Sequence, residues 1–364
     1  GMLLLLVAGV ASIFVVSKEP GARCYTLGGC EVIATTTTPP PPVLQSCPGC
    51  CNLYEATCDK RVDQAAFPTV HNAMSSTDRL WNFPNNMINM EQALSAGMRG
   101  LMLDLYYRWE PNATASELAG PGTVFLCHGY CGLGNMRFID ALIDIKTFLD
   151  DNPKELVVFI LEQYVASYSV IKDLINSGMM EYCCYGHPSS SDEWPTVGQL
   201  ISNNKRLLLF SNRAVSYTGS SHDGNILTHS DFGSDFVSVT SVDWWHKDSD
   251  YLAATTYSYT SQVTMTSDCS LNSDKSMYPI ADFAETSQSA AQPGPAAYRL
   301  IVANHFISNP LPCESCAASS NQNTSLKSRM LSCKSQWDHQ PNFPTVDFWS
   351  LGEVVRVSGH LNEQ

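Results

Sequence analysis

Three short apolar segments of the chain each end in a residue that can act as an acid, a base or a metal ligand. The segments are FPTVHNAM at 67–74, GLMLDLYYR at 100–108 and FLCHGYC at 125–131. They carry His71, Asn72, Asp104 and His128. Imidazole titrates near neutral pH, so two histidines brought together can serve as a general base and a general acid. In a parallel α/β barrel such groups collect at the C-terminal ends of the strands, where we expect these four residues to lie.

The alternation of side chains along a strand indicates which residues share a face. With a period of two, Asp104 and Tyr106 lie on one face of their strand, and His128 and Glu162 each end one face of a later strand. If those faces point into a barrel, the four polar groups meet at one mouth. A histidine packed in the core is the alternative for either histidine alone. Glu162 ends an otherwise apolar run, where a carboxylate is costly unless it is paired or bound to a metal.

The elements that must position these residues follow a βα pattern from about residue 62 onward. Candidate strands lie at 67–71, 99–105, 123–127, 156–161, 206–210, 236–240, 299–303 and 344–348. Helical signals lie at 87–96, 138–150, 169–177 and 196–203. Eight strands are what a closed (β/α)8 barrel requires, and such a barrel takes about 250 residues. The sequence therefore predicts an α/β fold, an irregular (β/α)8 TIM-type barrel, over residues 61–364.

The first 60 residues differ from the rest in composition. Residues 1–17 contain an apolar run that suits a signal peptide or signal anchor and is short for a membrane-spanning helix, which needs about 20 residues. Residues 18–60 combine a stiff TTTTPPPP spacer with a cysteine-rich lead-in. We expect entry into the secretory pathway, with the protein either secreted or held at the cell surface by its N-terminal segment.

Cysteine content and charge narrow the possible compartments and partners. Fourteen cysteines and the sequons at Asn112 and Asn323 indicate an oxidising compartment, disulfides and glycosylation. Zinc is the alternative for CPGCC at 47–51 and CESC at 313–316, but no histidine pair follows at finger spacing. The net charge of -14 argues against nucleic acid and against electrostatic docking on anionic lipid. Contact with a membrane would then be transient or made through the N-terminal segment.

Seven segments together resemble the X-domain family of phosphatidylinositol-specific phospholipase C and its secreted relatives, the phospholipase C-like phosphodiesterases. They are TVHNAM, GMRGLMLDLY, FLCHGYCGLG, FLDDNPKELVVFILEQY, WPTVGQLISNNKRLLLFSNR, LIVANHF and PNFPTVDFWSLGEVVRVSGHLNE. The resemblance runs over most of residues 64–362, and the order and spacing of the segments make it specific. It implies an irregular TIM barrel that cleaves a phospholipid-type phosphodiester.

The resemblance also implies roles for individual residues. His71 matches the general base, His128 the general acid, and Asp347 the carboxylate that orients the first histidine in bacterial members. Asn72, Asp104 and Glu162 match the metal ligands of the calcium-dependent members, and an all-oxygen set suits Ca2+ or Mg2+. Asp104 thus belongs to both the catalytic and the metal-binding set. A metal-free mechanism stays open.

Tyr106 is where this chain departs from the family. Calcium-dependent relatives carry a further acidic ligand two residues after the position of Asp104, and metal-free bacterial relatives carry an arginine there. Tyrosine is a poor substitute both for an acidic metal ligand and for an arginine that neutralises the phosphate. Arg108, two residues further along the same face, is the candidate to reach the phosphate of the substrate, with Tyr106 beside it.

The leading hypothesis is a phosphoric diester hydrolase or lyase that cleaves a phosphatidylinositol-like phosphodiester by paired-histidine acid/base catalysis. One alternative is a barrel without catalytic activity that serves as a surface binding module. Another is a glycerophosphodiesterase-like or sphingomyelinase D-like enzyme, although those relatives usually show a Glu-x-Asp metal pair where this chain has Asp104-Leu-Tyr106. The head group of the substrate, the disulfide pairing, the cleavage of the N-terminal segment and the oligomeric state stay open.

Overall fold

The computed structural model describes residues 22–25, 29–32, 44, 47–109, 122–183, 185–217, 226–227, 242–271, 298–307 and 311–364. The chain divides into two compact units, Gly1–Pro41 and Pro42–Gln364. In the first unit, strand β1 (Ala22–Tyr25) pairs antiparallel with β2 (Gly29–Val32). The predicted signal segment 1–17, the TTTTPPPP spacer and the sequon at Asn112 lie outside the described residues.

The second unit contains the remaining described elements. In chain order they are α1 (Glu55–Cys58), β3 (Thr69–Val70), α2 (Met90–Ser95), β4 (Gly100–Arg108), β5 (Thr123–Leu126), β6 (Met136–Arg137), α3 (Phe138–Asp151), β7 (Val157–Gln163), α4 (Ser167–Asn176), α5 (Val197–Ser202), β8 (Leu207–Ser211), β9 (Ser216–Tyr217), β10 (Ile226–Leu227), β11 (Trp245–Lys247), α6 (Asp248–Tyr251), β12 (Leu252–Ala254), α7 (Gln262–Ser267), β13 (Leu300–Asn304), α8 (Glu314–Ser320), α9 (Asn323–Trp337), β14 (Phe343–Val346) and α10 (Val354–Asn362). Short 3-10 helices lie at Val62–Gln64, Met179–Glu181 and Trp349–Leu351.

Eight parallel strands form the main sheet, in the order β11-β8-β7-β4-β3-β14-β13-β12. This is the order of a (β/α)8 barrel, because strands that follow each other along the chain in this set are also neighbours in the sheet, except for β11 and β12. The two ends, β11 and β12, follow each other in sequence through the four-residue helix α6. No strand pairing joins them among the described residues. The predicted irregular TIM-type barrel is therefore confirmed, with its irregularity at this seam.

Six of the eight predicted strands coincide with barrel strands. A seventh segment is a strand, but it is not one of the parallel strands of the barrel as predicted. The run at 123–127 forms β5, which pairs antiparallel with the outer part of β4 and with β6, so it lies outside the parallel set. The predicted strand at 236–240 lies outside the described residues. The fifth and sixth barrel positions belong instead to β11 and β12, which have three residues each. Runs this short carry too little periodicity to be recognised.

The strands bury both faces, as parallel sheets do. Val158, Leu208 and Val302 pack inside the barrel, whereas Phe159 and Leu209 belong to the core between the sheet and its helices. Helix α3 packs there through a stripe of buried residues, Phe138, Ala141, Leu142, Ile145 and Leu149. Their spacing is that of an amphipathic helix. The alternating apolar pattern of the sequence therefore corresponds to two separate cores.

The cysteine pairs whose spacing also suggested a zinc site form disulfides. The described pairs are Cys47–Cys50, Cys51–Cys58, Cys127–Cys131, Cys269–Cys333 and Cys313–Cys316. The cysteine-rich lead-in packs on the barrel, where Leu156 N donates to Asn52 Oδ1 at 2.7 Å and Tyr54 Oη to Val355 O at 3.2 Å. The expectation of disulfides is confirmed. Over the described ranges, the helices are all too short or too polar to cross a membrane.

Candidate active site

His71 and Asp347 lie side by side because β3 and β14 are neighbouring strands that end at the same edge of the sheet. His71 N donates to Val346 O at 3.0 Å, which continues the pairing of the two strands. The side chains then meet, with His71 Nδ1 at 2.8 Å from Asp347 Oδ1. Each residue is followed by one in the left-handed region, Asn72 at φ 44° and Phe348 at φ 48°. Residues other than glycine adopt this conformation at a cost, and such strain is often found at functional sites.

Asp347 fixes which nitrogen of His71 carries a proton. The carboxylate is only 2% exposed, and this burial raises the pKa of Asp347 despite the opposing effect of His71 and Asn85. An ionised carboxylate can only accept, so His71 Nδ1 donates to it and Nε2 keeps a lone pair. Asn72 Nδ2 lies 3.2 Å from that Nε2, and the ring of Phe306 stacks on the imidazole at 3.9 Å between centroids. These contacts fix the position of the ring and leave Nε2 as the nitrogen with a lone pair.

An acidic pocket opens beside His71. Its lining residues are His71, Asn72, Met102, Asp104, Ile160, Leu161, Glu162, Asn212 and Asp248. Asp104 and Glu162 are partners in register on β4 and β7. Burial and the charge of Glu162 hold the pKa of Asp104 well above its usual range, and burial raises the pKa of Asp248 to about 7. No lysine or arginine belongs to this lining as the structure describes it.

The predicted metal ligands Asn72, Asp104 and Glu162 all line this one pocket. Carboxylate and amide oxygens are what Ca2+ and Mg2+ prefer, and a cation would offset the repulsion between Asp104 and Glu162. The donor set therefore fits a hard divalent cation. Within the described part of the chain, no three histidine, cysteine, aspartate or glutamate residues form a metal-binding group. The predicted set contains only two residues of those types, and the metal stays a prediction.

His128 reaches this edge of the barrel by a different route from the one expected. It follows β5, so the expectation that it ends a parallel barrel strand is wrong. The Cys127–Cys131 disulfide closes its loop, and Cys127 N donates to Asp104 O at 3.1 Å, which ties the loop to β4. Burial, and secondly the charge of His71, lower the pKa of His128 to about 4. The two histidines are therefore near enough to interact electrostatically, although His128 does not line the pocket.

The side chains of Tyr106 and Arg108 contact aromatic rings outside the pocket lining. The ring of Tyr106 stacks on Tyr164 at 4.5 Å, and the Tyr164 hydroxyl donates to Glu162 Oε1. The guanidinium of Arg108 lies over the ring of Phe125, 5.5 Å from its centroid. Neither Tyr106 nor Arg108 belongs to the pocket lining. Their contact with a substrate phosphate stays a prediction.

Four residues of this site were not found from the sequence, namely Asn85, Asn212, Asp248 and Phe306. Asn212 directly follows β8 and Asp248 directly follows β11, so both occupy the strand-end position that identified Asp104 and Glu162. The strand before Asp248 is WHK, which carries no apolar pattern. Phe306 comes two residues after β13, a strand that the sequence did predict. Its place just beyond a strand end could have identified it as a candidate site residue. Asn85 lies in the loop between β3 and α2, where no periodicity marks it.

Parts of the chain are similar to known proteins. Residues 57–224 match the family model of the PI-PLC X domain, PI-PLC X 1. A PI-PLC X domain-containing protein of Arabidopsis thaliana is 30% identical over 141 residues, which are 36% of this chain and 30% of that protein. PI-PLC X domain-containing protein 1 of Arthroderma benhamiae is 24% identical over 168 residues, or 44% of this chain and 50% of that protein. An uncharacterized secreted protein of the same organism is 28% identical over 94 residues, covering 24% and 21%. The chain thus spans half or less of these relatives.

Solved structures align over most of the chain at low similarity. The phosphatidylinositol-specific phospholipase C of Listeria monocytogenes gives a TM-score of 0.48 and 17% identity, over 84% of this chain and 94% of that one. A mutant of the corresponding Staphylococcus aureus protein gives 0.49 and 13%, over 84% and 93%. The assignment of the fold accordingly depends on the strand order given above. The match to the PI-PLC X-domain model covers residues 57–224, slightly less than half of the chain, and includes His71, Asp104, His128 and Glu162.

Proposed function

We propose that this protein is a phosphodiesterase of the phospholipase C type that cleaves a phosphatidylinositol-like phosphodiester. The observation that carries the proposal is the 2.8 Å contact between His71 Nδ1 and Asp347 Oδ1 beside the acidic pocket. It supplies a base of fixed tautomer at the open edge of the barrel. His128, whose pKa responds to the charge of His71, is the partner that acts as general acid.

The reaction needs one proton removed and one delivered. His71 Nε2 takes the proton of the attacking hydroxyl, whose oxygen forms the new bond to phosphorus. The bond from phosphorus to the leaving alkoxide breaks, and His128 donates a proton to that oxygen. If the substrate is phosphatidylinositol, its own 2-hydroxyl attacks and the product is a cyclic inositol phosphate. A head group without such a hydroxyl would require water as the nucleophile.

Asp347 lowers the energy of this proton transfer because it faces the positive charge that forms on His71. His128 must start the reaction in the opposite protonation state, with a proton to give. Its pKa of about 4 leaves it neutral at pH 7, whereas a general acid must be protonated. A phosphodiester anion bound near it favours the charged form and raises its pKa. We therefore infer that the substrate itself brings His128 into the protonation state that the reaction needs.

The pocket carries negative charge that a phosphodiester would meet. Asn72, Asp104 and Glu162 would hold a Ca2+ or Mg2+ ion, which supplies positive charge for the phosphoryl oxygens when it is bound. Asp104 and Glu162, as neighbours in register, present their carboxylates to the same space. Arg108 and Tyr106 remain candidates for contact with the phosphate.

The disulfides and the similarity to a protein described as secreted support a location outside the cell or on its surface. A phospholipid substrate would place the enzyme at a membrane surface. Attachment through the N-terminal segment and glycosylation at the two sequons belong to the same proposal.

Phosphorus NMR of phosphatidylinositol with the purified full chain tests the activity. We expect a cyclic phosphate signal, and its loss on chelation would assign the metal. His71→Ala and His128→Ala should each reduce the rate by about 10²–10⁴-fold, with the circular dichroism spectrum unchanged. Absence of turnover in both Ca2+ and Mg2+ would refute this substrate and favour a barrel that binds without catalysis.

A further inference from the structure

We infer that Asn85 is a positioning residue that holds the Asp347 carboxylate in the one orientation that serves His71. The inference rests on the proposed function, since it concerns the same catalytic pair. Asn85 is fully buried in the loop between β3 and α2, at 0% exposure. It therefore lies far from Asp347 along the chain, by 262 residues, and meets it only through the fold.

Asn85 is attached to the strand end that carries Asp347 by two hydrogen bonds. Its side-chain Nδ2 donates to Asp347 Oδ1 at 3.1 Å, and its backbone oxygen accepts from Phe348 N at 2.7 Å. Its own backbone N donates to Ser75 Oγ at 3.3 Å. The amide is thus fixed from both sides before it meets the carboxylate, so its donor group points in a set direction.

Both donors converge on one oxygen of Asp347. Oδ1 accepts from His71 Nδ1 and from Asn85 Nδ2, whereas the buried Oδ2 accepts from no described residue. A carboxylate with one partner can rotate about its Cβ–Cγ bond and move its oxygen away from the best position for that partner. The second donor restricts this rotation, because one oxygen must stay within reach of both donors. An amide also adds no charge, so it does not compete with His71 as the counter-ion.

The neighbouring asparagine shows what a purely structural role looks like in the same loop. Asn86 is also 0% exposed, and its Nδ2 donates to the backbone oxygens of His71 and Asn72 at 3.1 and 3.2 Å. Such bonds hold the loop against the end of β3. Asn85 directs its amide instead to the carboxylate that contacts His71 Nδ1. Asn86 therefore holds the backbone of the loop, whereas Asn85 orients the carboxylate.

The test compares Asn85→Ala and Asn85→Asp with Asn362→Ala in the full chain. Asn85→Asp keeps the size of the side chain and removes the donor. Asn362 is a matched control because it is 2% exposed and makes two hydrogen bonds to the backbone of Ala66, at 2.7 and 3.0 Å, with none to Asp347. Nitrogen-15 NMR of the histidine rings reports the tautomer of His71 and needs no substrate.

We expect wild type and Asn362→Ala to show His71 with its hydrogen on Nδ1 alone, held in a strong bond to Asp347. Both Asn85 variants keep the carboxylate beside Nδ1 and therefore the same tautomer. Because that carboxylate is then less restrained, the Nδ1 hydrogen, observed in the same spectra, should shift upfield and exchange faster with water. Where the diesterase assay gives turnover, kcat should fall roughly 10- to 100-fold with KM unchanged, the size expected for losing a bond to a charged group. Asn85→Asp should recover part of this loss at acid pH, when one of the two carboxyls becomes protonated and can donate to the other.

An Nδ1 hydrogen with unchanged chemical shift and exchange rate in both Asn85 variants would overturn the inference. If Asn85→Ala does not fold, Asn85→Asp alone decides it by the same signal. Absence of activity in the wild-type protein would contradict the proposed function and leave the NMR result standing. The two failures are therefore distinguishable.

Discussion

Replacing Asp347 with asparagine should separate the catalytic use of this residue from its effect on stability. The change removes the charge and keeps the shape. His71 Nδ1 and Asn85 Nδ2 both donate to the same oxygen, so the new side chain must place its carbonyl oxygen there and its amide on the other side. The tautomer of His71 is then retained, and what is lost is the attraction between the carboxylate and the imidazolium that forms during the reaction.

The size of the loss follows from Coulomb's law. With the charge centres about 4 Å apart and an effective dielectric constant of about 20, the attraction is about 4 kcal/mol. If most of this is realised in the transition state, Asp347→Asn should lower kcat by about 10²–10³-fold. The 2.8 Å contact between the two side chains justifies the short separation. The same phosphorus NMR assay, run as initial rates, measures the change.

Stability should respond in the other direction. Burial raises the pKa of Asp347 above its unfolded value, so the folded protein binds this proton more readily than the unfolded chain does. For such a group the free energy of unfolding decreases as pH rises above the unfolded pKa, and the ionised form costs stability at pH 7. Asp347→Asn should therefore leave the thermal midpoint unchanged or higher. Activity within threefold of wild type, or a clear drop in the midpoint, would refute this reasoning.

Three further predictions concern His128 and the groups around the two histidines. Replacing both Cys127 and Cys131 with serine should free the loop that holds His128. We expect kcat to fall roughly 10- to 100-fold, because the general acid is then misplaced. Rate assays made without reductant measure the change. The pKa of His128 should be about 4 in the free protein and should rise when a non-hydrolysable phosphonate analogue binds, as proton NMR titration will show; an unchanged value would contradict the role given to the substrate. Phe306→Leu removes the ring stacked on His71 and should cost about 2- to 30-fold in kcat, the range of a cation–π contact, as measured by initial rates.

The positions of Asp104 and Glu162 could be predicted from the sequence because each follows the apolar residues on one face of a long strand. Their strands have nine and seven residues, enough for the period of two to show. Parallel pairing then brings both carboxylates to one edge in register. His71 could be placed by the same reasoning, although β3 itself has only two residues. The contact of His71 with Asp347 had no local signal, since 276 residues separate them, and only the family resemblance indicated it.

The remaining differences have identifiable physical causes. Periodicity shows that a segment is a strand but not which neighbour it pairs with or in which direction, so β5 looked like a barrel strand. β11 and β12 have three residues each, and WHK carries two polar side chains. Asp248 was missed with them. Asn85 contacts Asp347 through a loop that packs only when the barrel has formed, and no pattern within the loop records such a contact.

The two histidines are held by structures of different kinds, and this has consequences for how each can change. His71 and Asp347 follow adjacent strands of the sheet, so barrel packing fixes their separation. His128 lies in a loop outside the parallel set, held by the Cys127–Cys131 disulfide and by one backbone bond from Cys127 N to Asp104 O. Substitutions in this loop can therefore alter the general acid while the base stays in place. In the pH dependence of kcat, such variants should move the limb that reports the acid and leave the other limb unchanged.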